Sequence, residues 1–200
     1  NMSSPTTIFP SVLLLITVTA MVILSTSIEG VTTEDHSVYA SPSNTSTLPG
    51  FNFAAAGDWG CTDDTIDTVN NILEKSPELV LGLGDYSYES TADCWLNLVD
   101  PIDHKMKISI GNHDDISSSL LNQYMNHFGL SKQFYSFDDQ NVHFVVMSTE
   151  LMLVAGTEQY NFVNNDLSNA AADPNIDWVV VLYHTVAYSS PTTHSGLPTL

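Results

Sequence analysis

Short apolar runs alternate with amphipathic segments along the chain from residue 51 onward. The run FNFAAA (51–56) ends at a glycine, as a buried strand does, whereas TDDTIDTVNNILEK (62–75) places apolar residues at helical spacing. The stretch that carries Cys94 and Trp95 is predicted to be a loop. The same pattern predicts strands at 51–56, 79–83, 106–110, 134–137, 142–149 and 177–183, and helices at 62–75, 119–128 and 158–171.

The order of these elements predicts a protein of the α/β class. Strands that are joined through helices run parallel to one another, so the pattern predicts a largely parallel sheet covered by helices. Segments 134–137 and 142–149 are separated by four polar residues and are predicted to form a hairpin. In parallel sheets, ligands gather beyond the carboxyl ends of the strands. The residues that follow each strand are therefore the candidates for function.

The first fifty residues do not fit this pattern. Residues 8–28 form a nearly uninterrupted apolar stretch, and a helix of about 20 such residues spans a bilayer core of about 30 Å. We expect residues 1–30 to be a signal peptide or a transmembrane anchor, with a buried helix of a soluble core as the alternative. Residues 31–50 are rich in Ser, Thr and Pro and are predicted to be a solvated linker. The expected location is extracytoplasmic, with the protein either secreted or anchored to the membrane.

The chain is acidic because it lacks basic residues. Asp and Glu number 23 and Lys and Arg only 4, which gives a formal net charge of -19. A surface of this charge repels the phosphate groups of nucleic acid, so nucleic acid is excluded as a partner. A small phosphorylated substrate is also repelled, unless a bound metal ion reverses the local field.

Cys61 and Cys94 each follow a predicted strand by a few residues. They therefore lie at the same rim of the predicted sheet, and an exported chain permits a disulfide between them. Two unpaired thiols are the alternative. The sequence contains no Cys-x-x-Cys motif, so neither a redox dithiol nor a thiolate zinc site of that type is expected.

Polar residues of metal-binding types follow four of the predicted strands. GDWG (57–60), GDYSY (84–88) and GNHD (111–114) each begin at a strand end, and the last strand ends at His184. Oxygen and nitrogen donors without cysteine favour Fe, Mn or Zn, and two aspartates that can share a bridge suggest two ions about 3.5 to 4 Å apart. Each residue alone is better explained as a turn, cap or packing residue, so only their joint occurrence favours a metal site. The candidates are Asp58, Asp85, Tyr88, Asn112, His113 and His184.

In this order, GDWG, GDYSY, GNHD and VLYH (181–184) resemble four of the five motifs of the calcineurin-like metallophosphoesterases, and most closely those of the purple acid phosphatases. The resemblance covers about residues 51–200 and implies a metallophosphoesterase catalytic domain, folded as a layered α/β/β/α sandwich. Gly60 stands where many relatives carry a second metal-binding histidine. Tyr88 stands where purple acid phosphatases carry a tyrosine bound to Fe(III).

The same resemblance implies a dinuclear metal centre, with Fe(III) as one ion and Fe(II), Zn or Mn as the other. Asp58 and Tyr88 would bind the ferric ion, and Asp85 would bridge both ions. Asn112 and His184 would bind the divalent ion.

The implied activity is hydrolysis of small phosphate monoesters by a metal-activated hydroxide. His113 would contact the phosphate or the leaving oxygen, and His194 lies where the family often places another substrate-pocket histidine, with an ordinary loop histidine as the alternative. A phosphodiesterase or nucleotidase of the same superfamily is the alternative activity, because the motifs bind phosphate rather than the leaving group. The other histidines are interpreted as surface or packing residues: His36, His104, His127 and His143.

The fifth family motif, GHxH, supplies one histidine to each metal and does not occur in this sequence. We therefore interpret residues 51–200 as an incomplete catalytic domain from a longer protein. A metal-binding module without turnover is the third hypothesis.

Overall fold

The computed structural model describes residues 50–187 of the chain. The predicted apolar segment, the linker up to residue 49 and His194 lie outside these residues. Within them, none of the helices has the length and apolar character needed to cross a bilayer. In chain order the elements are β1 Phe53–Ala56, α1 Asp63–Lys75, β2 Leu79–Gly82, α2 Asp93–Val99, a short 3-10 helix Asp103–Lys105, β3 Met106–Ile108, α3 Ser118–His127, β4 Tyr135–Asp139, β5 Val142–Val146, α4 Glu158–Ala172 and β6 Trp178–Leu182.

The strands form two three-stranded sheets. The first sheet has the order β1-β2-β3 and is parallel throughout, as the strand-helix alternation predicts. In the second sheet β4 and β5 form the predicted antiparallel hairpin, and β6 pairs parallel to β5. The prediction of one largely parallel sheet is therefore wrong for the second half of the chain. There, α4 returns the chain to the free side of β5 rather than to the first sheet.

The two sheets pack face to face, and helices cover their outer faces. Leu81 of β2 and Phe144 of β5 belong to the apolar layer between the sheets. Because neighbouring strand residues point to opposite faces, Val80 packs instead with the layer that contains α1, α2 and α3. On the far side, Val145 packs with Val163 of α4. This layering confirms the predicted α/β/β/α sandwich.

Residues 93–99 form a helix where the sequence pattern predicts a loop. Trp95 and Val99, four residues apart, are fully buried. The Trp95 ring packs against Tyr86 at a centroid distance of 4.2 Å. A seven-residue helix is marginal on its own. Tertiary burial of one tryptophan therefore stabilises this helix, and periodicity over so short a segment does not reveal it.

Helix α1 buries two of the four apolar residues that lie at helical spacing in its sequence. Val69 and Ile72 are buried, but Ile66 and Leu73 are 42% and 43% exposed. Thr65 is buried instead, and its hydroxyl donates to the backbone carbonyl of Trp59 at 2.7 Å. A polar side chain on this helix therefore secures the loop that follows β1.

Cys61 and Cys94 form a disulfide, which decides between the two alternatives that the sequence leaves open. The bond joins the segment before α1 to the first turn of α2, across a sequence separation of 33. Closing a loop of this length stabilises the folded state by about 3 to 4 kcal/mol in a chain-entropy estimate. It also ties together the connections that follow β1 and β2.

The Tyr135 side chain pairs with the free edge of the first sheet. Its hydroxyl accepts from the Ile108 N–H and donates to the Ile108 carbonyl, both at 2.9 Å. We expect Tyr135→Phe to lower the free energy of unfolding by about 1 to 3 kcal/mol, because two backbone groups lose their partner. Urea unfolding measures this change. Tyr160→Phe is the matched control, since the Tyr160 hydroxyl makes no hydrogen bond within residues 50–187; equal losses in both variants would contradict the prediction.

Candidate metal centre

Strand ends from both sheets bring the candidate residues to one edge of the sandwich. Asp58, Asp85 and Asn112 follow β1, β2 and β3, which are parallel neighbours. His184 follows β6 of the other sheet, and its Nδ1 lies 2.9 Å from the carbonyl oxygen of Leu83, 101 residues earlier. The carbonyl can only accept, so Nδ1 donates and Nε2 faces the other candidates. The site therefore lies across both sheets.

Four side chains converge on a common space at this edge. The Tyr88 hydroxyl lies 3.0 Å from Asp58 Oδ1 and 3.2 Å from Asp85 Oδ2. His184 Nε2 lies 3.3 Å from Asp85 Oδ2. One donor atom from each of Asp58, Asp85 and His184 lies within 4.8 Å of the others, a spacing that a metal ion can bridge. In the described part of the chain neither carboxylate pairs with Lys or Arg, so the donor set suits a cation.

Three of these residues share an uncommon backbone conformation. Asp58, Asp85 and Tyr88 have φ values of 55°, 57° and 55°, in the left-handed region. Aspartate adopts this region more readily than tyrosine, for which it costs about 1 to 3 kcal/mol. The Asp58 N–H donates to the Gly84 carbonyl at 3.0 Å. The Trp59 N–H donates to the Asp85 carbonyl at 2.8 Å. Paired loop backbones therefore hold these residues with their side chains turned toward one another.

A buried carboxylate beneath the site joins two of its loops. Asp114 is fully buried, burial raises its pKa to about 6, and it accepts three backbone N–H groups at 2.8 to 2.9 Å. In return, Asp85 Oδ1 accepts the His113 N–H at 2.9 Å. Asp114 is the last residue of GNHD and is not among the residues predicted from the sequence, although its place directly after His113 is a usable signal. The three donors to Asp114 are Asp85, Tyr86 and Gly111.

One imidazole balances the negative charge of the site. Burial raises the pKa of Asp85, but hydrogen bonds from His184 and from the His113 N–H lower it by more than burial raises it. The pKa of Asp85 therefore lies below its usual range. Burial lowers the pKa of His184, but Asp85 and the Leu83 carbonyl raise it more, to about 9. Burial and the two carboxylates raise the pKa of Tyr88 well above its usual range. A proton on His184 therefore supplies the positive charge that a metal cation would supply when bound.

The other predicted site residues lie around this cluster. The His113 ring packs against the Tyr88 ring, with centroids 4.6 Å apart. Asn112 is exposed, and within residues 50–187 its side chain makes no hydrogen bond. His194 lies outside the described residues, so its place in a substrate pocket stays a prediction.

An apolar cleft of about 490 Å³ opens beside the cluster, between the edge strands β1 and β6. Phe53 and Val180 lie along its walls, and Asp58 and His184 also line it. The candidate donors therefore border an apolar surface on one side and solvent on the other.

Comparison with known proteins connects this geometry to a family. The family model for calcineurin-like phosphoesterases matches residues 51–198. Purple acid phosphatase 15 of Arabidopsis thaliana is 26% identical over 193 residues, which cover 76% of this chain and 36% of the relative. Purple acid phosphatase 22 of the same plant is 29% identical over 170 residues, which cover 76% of this chain and 39% of the relative. The chain therefore spans less than half the length of these curated relatives.

A solved structure shows the same architecture. The purple acid phosphatase from yellow lupin (Lupinus luteus) seeds matches with a TM-score of 0.57 and 22% sequence identity, over 70% of this chain and 31% of that chain. At this identity the likeness concerns the fold, and it agrees with the layered arrangement of the sheets and helices.

The backbone at Gly111 lies against Asp85. A Cβ at Gly111 would lie 2.3 Å from Asp85 Oδ1 and 2.5 Å from its backbone nitrogen. We expect Gly111→Ala to lower the free energy of unfolding by about 1 to 3 kcal/mol, because the loop after β3 must move away from Asp85. Thermal and urea unfolding measure the loss. Gly50→Ala is the control, since a Cβ there meets nothing within 4 Å; a Gly111 variant as stable as this control would refute the close contact.

Proposed function

The chain belongs to the calcineurin-like phosphoesterase family, and we propose that the protein hydrolyses phosphate monoesters at a dinuclear metal centre. The observation that carries this proposal is the convergence of two carboxylates, a phenol and an imidazole at strand ends from both sheets. Such a donor set, without thiolate, suits Fe, Mn or Zn. Similarity to purple acid phosphatases supports a monoester as the substrate. The converging residues are Asp58, Asp85, Tyr88 and His184.

We assign these residues to two ions. Asp58 and Tyr88 would hold Fe(III), Asp85 would serve as a ligand to both ions, and the second ion would be Fe(II), Zn or Mn. The place of the Tyr88 hydroxyl between both carboxylates supports the first assignment. Asn112 and His184 would hold the second ion. The contact of His184 Nε2 with Asp85 supports this, since a backbone carbonyl already occupies its Nδ1.

The chain's own residues complete the site for a small phosphate ester. When bound, the metal pair supplies an activated water and offsets the negative charge of the phosphate. His113 packs on Tyr88 and is exposed, so it is placed to donate a hydrogen bond to the phosphate or a proton to the leaving oxygen. We propose the same substrate-facing role for His194. The net charge of -19 repels phosphate esters elsewhere on the surface, which confines their binding to the metals.

We also propose that the protein acts outside the cytoplasm. The Cys61–Cys94 disulfide supports this location, because such bonds persist in oxidising compartments. The apolar residues 8–28 support export, either as a cleaved signal peptide or as an anchor that leaves the protein attached to the membrane.

Substrate preference tests the proposed reaction. With Fe, Mn or Zn supplied, we expect the full-length protein to hydrolyse a chromogenic monoester faster than a bis-ester or a nucleotide. Asp85→Asn should lower kcat by about 100-fold or more, since loss of even an outer partner of a metal ligand costs about 10- to 100-fold. Asp67→Asn, an exposed carboxylate on α1, is the control. Preference for the bis-ester or the nucleotide would favour the alternative activity, and no turnover of any substrate would refute both.

If Tyr88 binds Fe(III), the protein should be coloured. Tyrosinate bound to Fe(III) absorbs visible light, so the iron-loaded full-length protein should show a visible band that Tyr88→Phe loses. Absorption spectra together with metal analysis measure this, and Tyr160→Phe should keep the band. A colourless protein with stoichiometric iron would rule out Tyr88 as a ligand, and a zinc-only protein would contradict the ferric assignment.

A further inference from the structure

The imidazole of His143 lies between two carboxylates. Its Nδ1 is 2.5 Å from Asp138 Oδ1, and its Nε2 is 2.9 Å from Asp166 Oδ2. An ionised carboxylate accepts hydrogen bonds but does not donate them. Both contacts are therefore satisfied only when both ring nitrogens carry a proton, which makes the ring a cation.

The two carboxylates come from different elements. Asp138 lies on β4, directly opposite His143 on β5. Asp166 lies on α4, three residues after the buried Val163 and four before the buried Ala170. Residues at these spacings share one face of a helix, so the Asp166 carboxylate is turned toward the second sheet. The imidazole therefore links α4 to the hairpin formed by β4 and β5.

His143 supplies the positive charge at this interface. The titratable groups that face it are Asp138 from β4 and Asp166 from α4, and the Ser136 hydroxyl also donates to Asp166 at 2.8 Å. Its partner on β6 is the uncharged Val179. Across residues 50–187, neither carboxylate forms an ion pair with Lys or Arg.

The charge of His143 depends on pH, because its imidazole titrates above the ordinary histidine value. Burial lowers the pKa of His143, but hydrogen bonds to Asp166 and Asp138 raise it more, so it lies above the ordinary value of 6.5. A histidine with a raised pKa in the folded state stabilises that state fully below its unfolded-state pKa. The stabilisation is lost as the pH rises through the folded-state pKa.

We propose that His143, Asp138 and Asp166 form a pH-sensitive latch, which docks α4 on the hairpin at acidic pH and weakens as the pH rises and the imidazole loses its charge. The helix also carries Gln159, whose amide binds the N–H of Ser148 at 2.8 Å and the carbonyl of Ser148 at 2.9 Å, just beyond β5. The hydroxyl oxygen of the next residue, Thr149, accepts the N–H of Thr185 at 3.3 Å. Thr185 directly follows His184 in the chain. The latch therefore holds a loop beside the proposed metal centre, and this part of the inference rests on the proposed function.

Amide hydrogen exchange and histidine NMR of the chain test the latch between pH 6 and pH 9. We expect the His143 ring to titrate above about 6.5. The protection factors of α4, corrected for intrinsic exchange, should fall by about tenfold for each unit by which that pKa is raised. His143→Gln, a neutral side chain that can still donate, should remove this pH dependence. His127→Gln, which loses a surface pair with Asp103, is the control and should keep it.

Two results would overturn the latch: a His143 ring with only one protonated nitrogen at pH 6, or an unchanged pH dependence of α4 in His143→Gln. If that variant does not fold, Asp166→Asn should lower the NMR pKa of His143, and an unchanged pKa would refute the pairing. Exchange of the Thr185 amide should follow that of α4, and independence would refute the link to the site. Exchange requires neither metal nor substrate, so an inactive enzyme and a failed latch are distinguishable.

Discussion

The candidate metal centre depends on the hydrogen bonds that the buried Asp114 carboxylate accepts from the backbone. This carboxylate lies below the surface and accepts hydrogen bonds from backbone N–H groups of the loops that follow β2 and β3, both of which carry candidate residues. Each of these groups would otherwise be buried without a partner, at a cost of about 1 to 3 kcal/mol. Because the Asp85 carboxylate in turn accepts the His113 N–H, the two loops fix each other. This mutual support allows Asp58, Asp85 and Tyr88 to keep a backbone conformation that isolated loops would seldom hold.

The sequence is most informative where a strand ends. An apolar run followed by a metal-binding residue predicts both the strand and the position of the side chain, so Asp58, Asp85 and His184 could be expected to meet. The sequence is less informative where long-range contacts decide the structure. Whether β6 joins the first or the second sheet depends on which face α4 covers. Helix α2 forms because Trp95 packs against the buried ring of Tyr86. Local periodicity predicts neither the sheet that β6 joins nor this helix.

Polar side chains in the interior were the hardest features to predict. His143 was interpreted as a surface or packing residue, because a histidine in a strand gives no sign of its neighbours. Its carboxylate partners are set by the register of the hairpin and by the face of α4 that meets the sheet. Thr65 and Tyr135 are similar cases: the hydroxyl of each makes hydrogen bonds to the backbone of another segment, which the sequence pattern does not reveal. Such contacts follow from the fold and cannot be read before it is known.

The 101 residues between Leu83 and His184 give the candidate metal centre a place in the order of assembly. Asp58 and Asp85 follow neighbouring strands that are joined by one helix, so bringing them together closes only a short loop. His184 joins them only after the second sheet has docked on the first. A metal ion that binds the complete set stabilises the docked state and no earlier one. Metal occupancy would therefore report that both halves of the sandwich have assembled correctly.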